Sequence, residues 1–476
     1  MIFTSWAFLI FLAMVLTAYF SLGRRWRWQN ILLLIASYVS YAFWDWRFLA
    51  LLAGMTALNY IAGWAISRKP EGKANRGRLW LGLAIAVDLL VLGTFKYFNF
   101  FDQSMVSLLL KFGIHLDPIS LKIILPLGLS FYTFMAITYP FDIYRGKIQH
   151  TGRFLDFALF VAFFPTIVSG PIERAAHMLP QFQSPRQVTS DKINESLWLI
   201  IWGFFQKMVI ADNMGLILNH TFDNYTQHQG LDIVVAGFAY TVQILADFNG
   251  YTDIARGVAK LFGFELLLNF NVPYFALNPS DFWSRWHISL SQWFRDYLYI
   301  PLGGNRKGKW RTSLNIFVTM VLVGFWHGAA WTFIVWGAWH GFLQVVYRLF
   351  GERGQSTDRK INSLQSAVSV IGRTALMFIL VAAGWMAFRA TSFGQLSYLF
   401  THLGFGVSAT TLDSLWRLFY FTLPMIIVQI FQVRSASQVF ILRLNPWVRG
   451  LAYGTIVVGI IVFSQRVITR FIYQGF

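Results

Sequence analysis

Long apolar segments separated by short polar loops run along almost the whole chain. The first five cover residues 5–22, 30–44, 48–67, 79–98 and 121–141. A helix needs about 20 apolar residues to cross the hydrocarbon of a bilayer, and lipid offers no partner to the open edge of a sheet. The pattern predicts an all-α polytopic membrane protein, with about 11–13 membrane segments when re-entrant and interfacial helices are included.

The middle of the chain departs from this regular pattern. Apolar runs at 154–169, 195–218 and 231–248 are separated or followed by segments rich in Gly, Pro and charge, which include Asp253. Irregular backbone is tolerated at membrane depth only where protein covers it or where it lines a watery cavity. We therefore expect a cavity here, with Asp253 as a candidate substrate-binding residue. Ordinary interfacial loops with solvated charges are the alternative.

Three further apolar runs lie between residues 366 and 470, and their sparse charges form no reactive constellation. We interpret these runs as scaffold spans. The whole chain, residues 1–476, is predicted to form a single membrane domain whose motif-bearing core covers residues 121–347.

Basic residues cluster in the loops after the first, third and fifth predicted spans, at residues 24–27, 68–78 and 145–153. Cytoplasmic loops carry an excess of Lys and Arg, so all three loops are expected on the cytoplasmic side of the membrane. The N-terminus is then expected on the opposite, outer side. The first basic cluster follows its apolar run, which is the order of an uncleaved span and not of a signal peptide.

The composition agrees with this class and narrows the chemistry. Hydrophobic residues make up 56% of the 476 positions and charged residues only 13%, too few to coat a soluble protein of this size. The net charge of +18 lies mostly in short loops, which favours the lipid bilayer and argues against nucleic acid as a partner. Because the chain has no cysteine, acyl transfer cannot pass through a cysteinyl thioester.

Tryptophans recur at helical spacing between residues 281 and 300, which predicts one amphipathic helix lying in the headgroup plane. The apolar stripe consists of Trp283, Trp286, Leu290 and Trp293, and the polar stripe of Arg285, Ser289, Gln292 and Asp296. His287 lies at the border of the two stripes. Its position leaves open whether it is a hydrogen-bonded structural residue or a catalytic one.

A glycine-rich basic turn, with the sequence GGNRKGKWR, follows at residues 303–311. Its backbone N–H groups and cations suit phosphates, although the residue order does not match a P-loop. A plain cytoplasmic basic loop is the alternative. The candidate substrate- or donor-binding residues in and before the turn are Arg295, Asp296, Asn305, Arg306 and Arg311.

An apolar run at 312–326 is only about fifteen residues long, short for a full crossing, and it leads directly into His327. The imidazole is therefore expected inside the membrane zone, where an ionisable side chain indicates function. Histidine accepts and returns a proton near neutral pH, as a general base must. A core histidine satisfied by a carbonyl group is the structural alternative.

The tripeptide Trp-His-Gly occurs twice, at residues 326–328 and 339–341. At about 100° per residue, one straight helix would point the two histidines to nearly opposite faces. We therefore do not expect His327 and His340 to act as a pair, and His340 remains a candidate for packing or substrate binding.

The motifs between residues 125 and 347 resemble the membrane-bound O-acyltransferase (MBOAT) family, especially its bacterial members that O-acetylate alginate or peptidoglycan. They are, in order, LPLGLSFYTF, DIYRG, SGPIERAAHMLPQF, DFNGYTDIARGVAKLFGF, DFWSRWHISLSQWFRDYLYIPLGGN and GFWHGAAW. The resemblance implies a helical bundle around a central tunnel, with His327 as the catalytic histidine and His287 as the second motif histidine. The tail FIYQGF, residues 471–476, departs from the aromatic tail common in the family.

The resemblance also implies a mechanism, with acetyl-CoA or another cytoplasmic acyl thioester as donor and with no bound cofactor or metal. His327 would take the proton from an acceptor hydroxyl, His287 would orient the acceptor or stabilise developing charge, and Trp326 would exclude water. Members of this type pass the acyl group across the membrane to an extracytoplasmic partner, such as an SGNH-like acetyltransferase, which modifies an exported polysaccharide. Alginate is the expected type.

Two other classes of function are compatible with a multipass bundle that carries charge at membrane depth. A transporter or flippase would show broken helices and midplane charges, but this chain shows no matching halves, and its polar motifs lie in one central block. A non-enzymatic scaffold of a polysaccharide secretion complex would not require His327 at all.

Overall fold

The computed structural model describes residues 3–68, 74–119, 121–350 and 363–465, and most of the backbone there is helical. In chain order the helices are α1 (Trp6–Ser21), α2 (Trp26–Asp45), α3 (Leu49–Ser67), α4 (Ala74–Leu92), α5 (Phe98–Lys111), α6 (Leu129–Tyr144), α7 (Phe154–Ala162), α8 (Ala175–Phe182), α9 (Ser190–Phe205), α10 (Asp212–Asp223), α11 (Leu231–Leu261), α12 (Pro279–Arg285), α13 (Ile288–Phe294), α14 (Gly308–His327), α15 (Trp331–Phe350), α16 (Leu364–Arg389), α17 (Phe393–Thr401), α18 (Thr411–Ser435) and α19 (Pro446–Phe463). The prediction of an all-α fold is confirmed.

Six helical segments within the described ranges are long and apolar enough to cross a membrane. They are Trp26–Ser67, Asn75–Lys111, Leu231–Leu261, Leu364–Arg389, Thr411–Ser435 and Pro446–Phe463. Shorter apolar helices such as α1 accompany them. The protein is therefore a polytopic membrane protein, as the apolar pattern predicted. The predicted tail at 471–476 and part of the second basic loop, at 69–73, lie outside the described residues.

The chain forms two compact units. Unit 1 comprises Met1–Leu197 and Ala255–Leu267, and unit 2 comprises Trp198–Ile254 and Leu268–Phe476. Helices α9 and α11 contribute residues to both units. The grouping of the whole chain into one membrane domain stays a prediction.

Two hydrogen-bonded groups of buried or half-buried polar side chains lie in unit 1. The Asn59 amide on α3 donates to the Asp88 carboxylate on α4 at 2.9 Å. The Arg186 guanidinium donates to the Tyr19 hydroxyl at 2.9 Å and to the Asn30 carbonyl oxygen at 2.7 Å. Hydrocarbon provides no water to solvate such groups, so these internal bonds allow polar side chains to remain at membrane depth.

Several helix ends differ from the apolar pattern. The run predicted at 79–98 continues through a π-helical turn, Gly93–Tyr97, into α5 and ends at Lys111. The run at 121–141 becomes helical only at Leu129, after Gly128 adopts a left-handed φ of 72°. Hydropathy marks which residues avoid water, whereas a helix end depends on backbone conformation and capping.

The prediction of one interfacial helix over residues 281–300 is wrong, because the chain breaks at His287 between α12 and α13. Helix α12 has strong start signals: Pro279 is its first residue, and the Asn278 side chain accepts from the Asp281 amide at 2.8 Å. The apolar stripe is buried inside the protein, and Ser289 of the polar stripe is buried too.

Glycines bring α14 and α15 into close contact. A Cβ atom added at Gly337 would lie 3.1 Å from the Cα of Gly324, and one added at Gly341 would lie 3.2 Å from the Cβ of Met320. Small residues spaced four apart allow membrane helices to approach until their backbones touch. This contact fixes the C-terminal end of α14, where His327 lies.

We expect Gly337→Ala to lower the thermal stability of the protein, because the added methyl group forces α14 and α15 apart at a cost of about 1–3 kcal/mol. The measurement is the midpoint of thermal unfolding in detergent. Gly372→Ala on α16 is the matched control, because a Cβ there meets nothing within 4 Å and alanine favours the helix. Equal midpoints for the two variants would contradict the close contact.

Candidate functional site

His327 is the last residue of α14 and lies within a cluster of aromatic rings. Only 2% of its surface is exposed. Its ring centroid lies 5.0 Å from that of Trp326, 5.1 Å from that of Trp336 and 5.2 Å from that of Phe388. The predicted burial of this imidazole is therefore observed, and the side chains around it are large, flat and mostly apolar rings.

His287 occupies the break between α12 and α13 in a left-handed backbone conformation, with φ 40° and ψ 55°. This conformation is uncommon for residues other than glycine and costs roughly 1 kcal/mol or more, so surrounding contacts must hold it. Asn269 supplies them. Its backbone carbonyl accepts from the Ile288 amide at 2.8 Å, and its side-chain oxygen contacts Nδ1 of His287 at 3.2 Å.

The same Asn269 oxygen determines which nitrogen of His287 carries the proton. It accepts hydrogen bonds from the Ser289 hydroxyl at 2.6 Å and from the Ser289 backbone amide at 3.4 Å. A backbone N–H can only donate, so the atom facing it is the amide oxygen and not the nitrogen. Nδ1 of His287 is then the donor to this oxygen, and Nε2 of the neutral ring carries the lone pair.

The structure brings the two candidate catalytic histidines together. The ring centroids of His287 and His327 are 6.4 Å apart, and the Trp326 ring lies 6.2 Å from His287. Phe248 of α11 packs against His287, with the two ring centroids 4.7 Å apart. Two imidazoles and an indole thus share one buried space.

His340 is closer to His327 than the straight-helix argument implied. The chain turns between α14 and α15, so the two Trp-His-Gly copies lie on different, adjacent helices. The Trp336 ring contacts both histidines, at 5.1 Å from His327 and 4.9 Å from His340. The single straight helix assumed for that argument is therefore absent, and the expectation that His327 and His340 do not act as a pair stays a prediction.

His340 itself is packed among aromatic rings. It stacks on Phe282 at 5.8 Å with 9° between the rings and meets Trp283 edge-on at 5.3 Å. A Cβ added at Gly384 of α16 would lie 3.0 Å from its Nε2 atom. This tight packing favours a structural role for His340 over direct contact with a substrate.

A cavity of about 460 Å³ lies beside these rings within unit 2. Its lining includes Trp283, which contacts His340, Ile288, which follows His287, and Val323, one helical turn before His327. Cavities of a few hundred Å³ accommodate small organic ligands. This cavity is built from α12 to α15. The cavity expected near the Gly- and Pro-rich segment after residue 169 corresponds to a second one, lined in part by Ala175, Leu179 and Gln183.

The charged candidates lie at and beyond the edge of this cavity. Arg295 lines it, is largely exposed, and pairs with Asp296 at 2.8 Å. Asn305, Arg306 and Arg311 are exposed in the glycine-rich turn and at the start of α14. The turn itself is held by the Asn315 amide, which donates to the Gly304 carbonyl at 3.0 Å.

Asp253 belongs to a different polar cluster. Its carboxylate accepts from the Gln206 amide at 3.1 Å and from the Asn249 amide at 3.0 Å. Next to Gln206, the buried Lys207 ammonium lies 2.7 Å from Asp247 and 2.8 Å from Asp212. This cluster surrounds the π-helical turn Gln206–Ala211.

Sequence reasoning missed Asn269, Lys207 and Trp336. Each had a signal: Asn269 is a polar residue in a mostly apolar stretch, and Lys207 lies inside an apolar run. Trp336 precedes His340 by one helical turn and so shares its face. Within the described ranges, no group of three or more His, Cys, Asp or Glu side chains is arranged to hold a metal ion.

Comparison with known proteins identifies the family. Residues 144–356 match the profile described as "MBOAT, membrane-bound O-acyltransferase family". The chain is 42% identical to the "Probable alginate O-acetylase AlgI" of Pseudomonas putida over 392 residues. The aligned segment covers 82% of this chain and 77% of the relative. The chain belongs to the membrane-bound O-acyltransferase family.

Other relatives of this O-acyltransferase carry names that specify different polymers. The peptidoglycan O-acetyltransferase of Helicobacter pylori is 35% identical over 384 residues, 75% of this chain and 70% of the relative. The teichoic acid D-alanyltransferase of Bacillus subtilis is 31% identical over 289 residues, 58% of this chain and 70% of the relative. Membership in an enzyme family leaves the transporter and scaffold alternatives without support.

We expect Asn269→Ala to destabilise the O-acyltransferase, because the His287 ring and both Ser289 donors lose their buried acceptor at a cost of about 1–3 kcal/mol. The midpoint of thermal unfolding in detergent should fall. Asn224→Ala is the matched control, since Asn224 is exposed and makes one bond of 3.3 Å to the His220 carbonyl. A midpoint no lower than that of the control would show that Asn269 does not hold the His287 turn.

Proposed function

We propose that this O-acyltransferase takes an acetyl group from a cytoplasmic thioester, acetyl-CoA, and passes it across the membrane for O-acetylation of an exported polysaccharide of the alginate type. The observation that carries the proposal is the pair His287 and His327, 6.4 Å apart in a buried aromatic cluster beside a cavity. The 42% identity to a protein named as an alginate O-acetylase supports acetyl as the acyl group and alginate as the polymer.

His327 acts as the general base in this proposal. It removes the proton of the acceptor hydroxyl while the oxygen attacks the thioester carbonyl. The carbon–sulfur bond then breaks, and the imidazolium returns the proton to the departing thiolate, so the products are an O-acetyl ester and a free thiol. The surrounding rings of Trp326, Trp336 and Phe388 exclude the water that would otherwise hydrolyse the donor.

His287 orients the acceptor. Its Nδ1–H is engaged by Asn269, so Nε2 of the neutral ring offers a lone pair to an N–H or O–H of the acceptor other than the hydroxyl whose proton His327 removes. A lone pair cannot donate a hydrogen bond to an oxyanion. Of the two roles expected from the sequence, the tautomer therefore supports orientation of the acceptor over stabilisation of developing charge.

The charged candidates are assigned to the donor. Arg306 and Arg311, exposed in the glycine-rich turn, bind the phosphates of the donor, and Arg295 guides its acyl arm along the cavity wall with Asp296 and Asn305 alongside. Asp253 is left out of this set, because its carboxylate is already bound by Gln206 and Asn249.

The acceptor at His327 is a side chain of an extracytoplasmic partner, such as an SGNH-like acetyltransferase, which completes the transfer to the polymer. In this proposal the basic loops lie on the cytoplasmic side of the bacterial inner membrane, and the N-terminus lies in the periplasm. The donor and the partner therefore approach from opposite sides of the bilayer. This arrangement supports transfer across the membrane.

Replacing His327 tests the proposal in cells. We expect His327→Ala to reduce the O-acetyl content of exported polysaccharide by about 10²-fold or more, the usual contribution of a general base. His327→Gln keeps most of the side-chain volume and should show the same loss at an unchanged membrane level. His402→Ala, an exposed histidine that stacks on Tyr398, is the matched control. Wild-type acetylation in both His327 variants would remove the mechanism.

Replacing the turn cations tests the donor assignment. The double variant Arg306→Gln/Arg311→Gln should raise the KM for acetyl-CoA about tenfold and leave kcat within about twofold, because it loses ground-state contacts to phosphate. The assay is thiol release by purified protein supplied with its acceptor. Arg24→Gln/Arg25→Gln removes the same charge from another basic loop and should leave KM unchanged. Equal KM values for the two double variants would contradict the assignment.

A further inference from the structure

A second cavity, of about 770 Å³, lies within unit 1. It is far larger than a single inorganic ion requires and falls in the range of sites for small organic ligands. Its lining includes Trp26 and Arg27 at the start of α2, the loop residues His150 and Arg153, and Gln183 after α8. None of these residues has a role in the mechanism above.

Two guanidinium groups flank one indole at this cavity. The Cζ of Arg27 lies 5.3 Å and that of Arg153 5.4 Å from the centroid of the Trp26 ring. In the described part of the chain neither guanidinium has a carboxylate within ion-pair distance. Asp156 interacts electrostatically with both and also with Arg186, so three cations share one nearby carboxylate. The cavity wall therefore carries surplus positive charge.

Helix ends add to this positive field. The first residues of α2, the N-terminal cap of α7 at Arg153 and the first residue of α8 all line the cavity, and none of the three capping side chains bonds the first N–H groups of its helix. Each helix start contributes partial positive charge. Burial, together with the charge of Arg68, lowers the pKa of His150, so its ring is a neutral hydrogen-bonding group at pH 7.

The wall is held in place by hydrogen bonds that do not involve the arginines. The Tyr139 hydroxyl accepts from the Thr151 amide at 2.9 Å and bonds with Nδ1 of His150 at 2.7 Å. The Gln183 amide donates to the Thr151 hydroxyl at 3.0 Å. The loop bearing Arg153 is therefore held in place by protein hydrogen bonds alone. Without a bound anion, the like charges of Arg27 and Arg153 repel each other.

We propose that this cavity binds a phosphate ester, with Arg27 and Arg153 on the phosphate and Trp26 against the group attached to it. Arginine's planar fork suits phosphate, and an indole suits either a nucleotide base or the glycerol region of a lipid at the bilayer surface. Because α2 is the start of a candidate membrane span, both an anionic phospholipid headgroup and a soluble nucleotide phosphate can reach its first residues. The proposal does not rest on the acyl-transfer mechanism.

The experiment uses the full-length purified protein and two probes. One arm measures retention of phosphatidylglycerol against phosphatidylcholine by native mass spectrometry after release from mixed nanodiscs. The other arm measures binding of coenzyme A by equilibrium dialysis in neutral detergent, with every protein in an Arg306→Gln/Arg311→Gln background that removes the proposed donor site. The test variant is Arg27→Gln/Arg153→Gln. The control is Arg24→Gln/Arg25→Gln, which removes the same charge from exposed positions that do not line the cavity.

We expect the wild type to bind at least one probe and the test variant to bind it about tenfold more weakly, with the control within about twofold of wild type. Preference for phosphatidylglycerol assigns the phosphate to lipid, and binding of coenzyme A assigns it to a nucleotide. If the wild type binds neither probe, or if the test and control variants bind alike, the proposal is overturned. Thermal midpoints of all variants are compared to detect misfolding.

A steric variant tests whether the ligand occupies the cavity itself, without changing the charge of the cavity wall. Gly152 lines the cavity, and a Cβ added there meets nothing within 4 Å, so Gly152→Trp adds a large side chain at the cavity wall and leaves both arginines in place. We expect it to abolish binding of the probe that the wild type retains. Undiminished binding by Gly152→Trp in a folded protein would show that the ligand sits outside the cavity and would overturn the site.

Discussion

The backbone contact between α14 and α15 is the constraint on which the candidate site depends. Gly324 and Gly337 let the two helices touch, and the short turn after His327 returns the chain along the same contact. Membrane helices gain little from the hydrophobic effect when they associate, because lipid is equally apolar, so close packing must hold them together. With the helices at this distance, Trp336 reaches both His327 and His340.

A second constraint acts on the opposite side of the histidine pair. His287 is held in a left-handed turn by Asn269, which engages the backbone and side chains of three consecutive residues. Backbone strain disfavours the left-handed conformation of that turn, and the buried hydrogen bonds favour it. The hydrogen bonds outweigh the strain. The result is a buried imidazole whose ring orientation is set by its contact with Asn269.

Polar groups elsewhere in the molecule follow the same physical rule. Lys207 lies between Asp247 and Asp212, and Asp253 accepts from two amides, so charge inside the helical bundle is matched locally. The cavity near Trp26 differs, because its cations outnumber nearby carboxylates. Matched charge indicates structure, whereas unmatched charge around an open space indicates a ligand.

The membrane class, the existence of most helices and the two histidines were accessible from the sequence, because each depends on local properties. Bilayer thickness sets the length of an apolar run, and an imidazole at the end of such a run is conspicuous wherever the helix lies. The break at His287, its bond to Asn269 eighteen positions earlier, and the proximity of His340 to His327 were not accessible. They depend on which surfaces meet after the chain turns, and periodicity along one helix cannot contain that information.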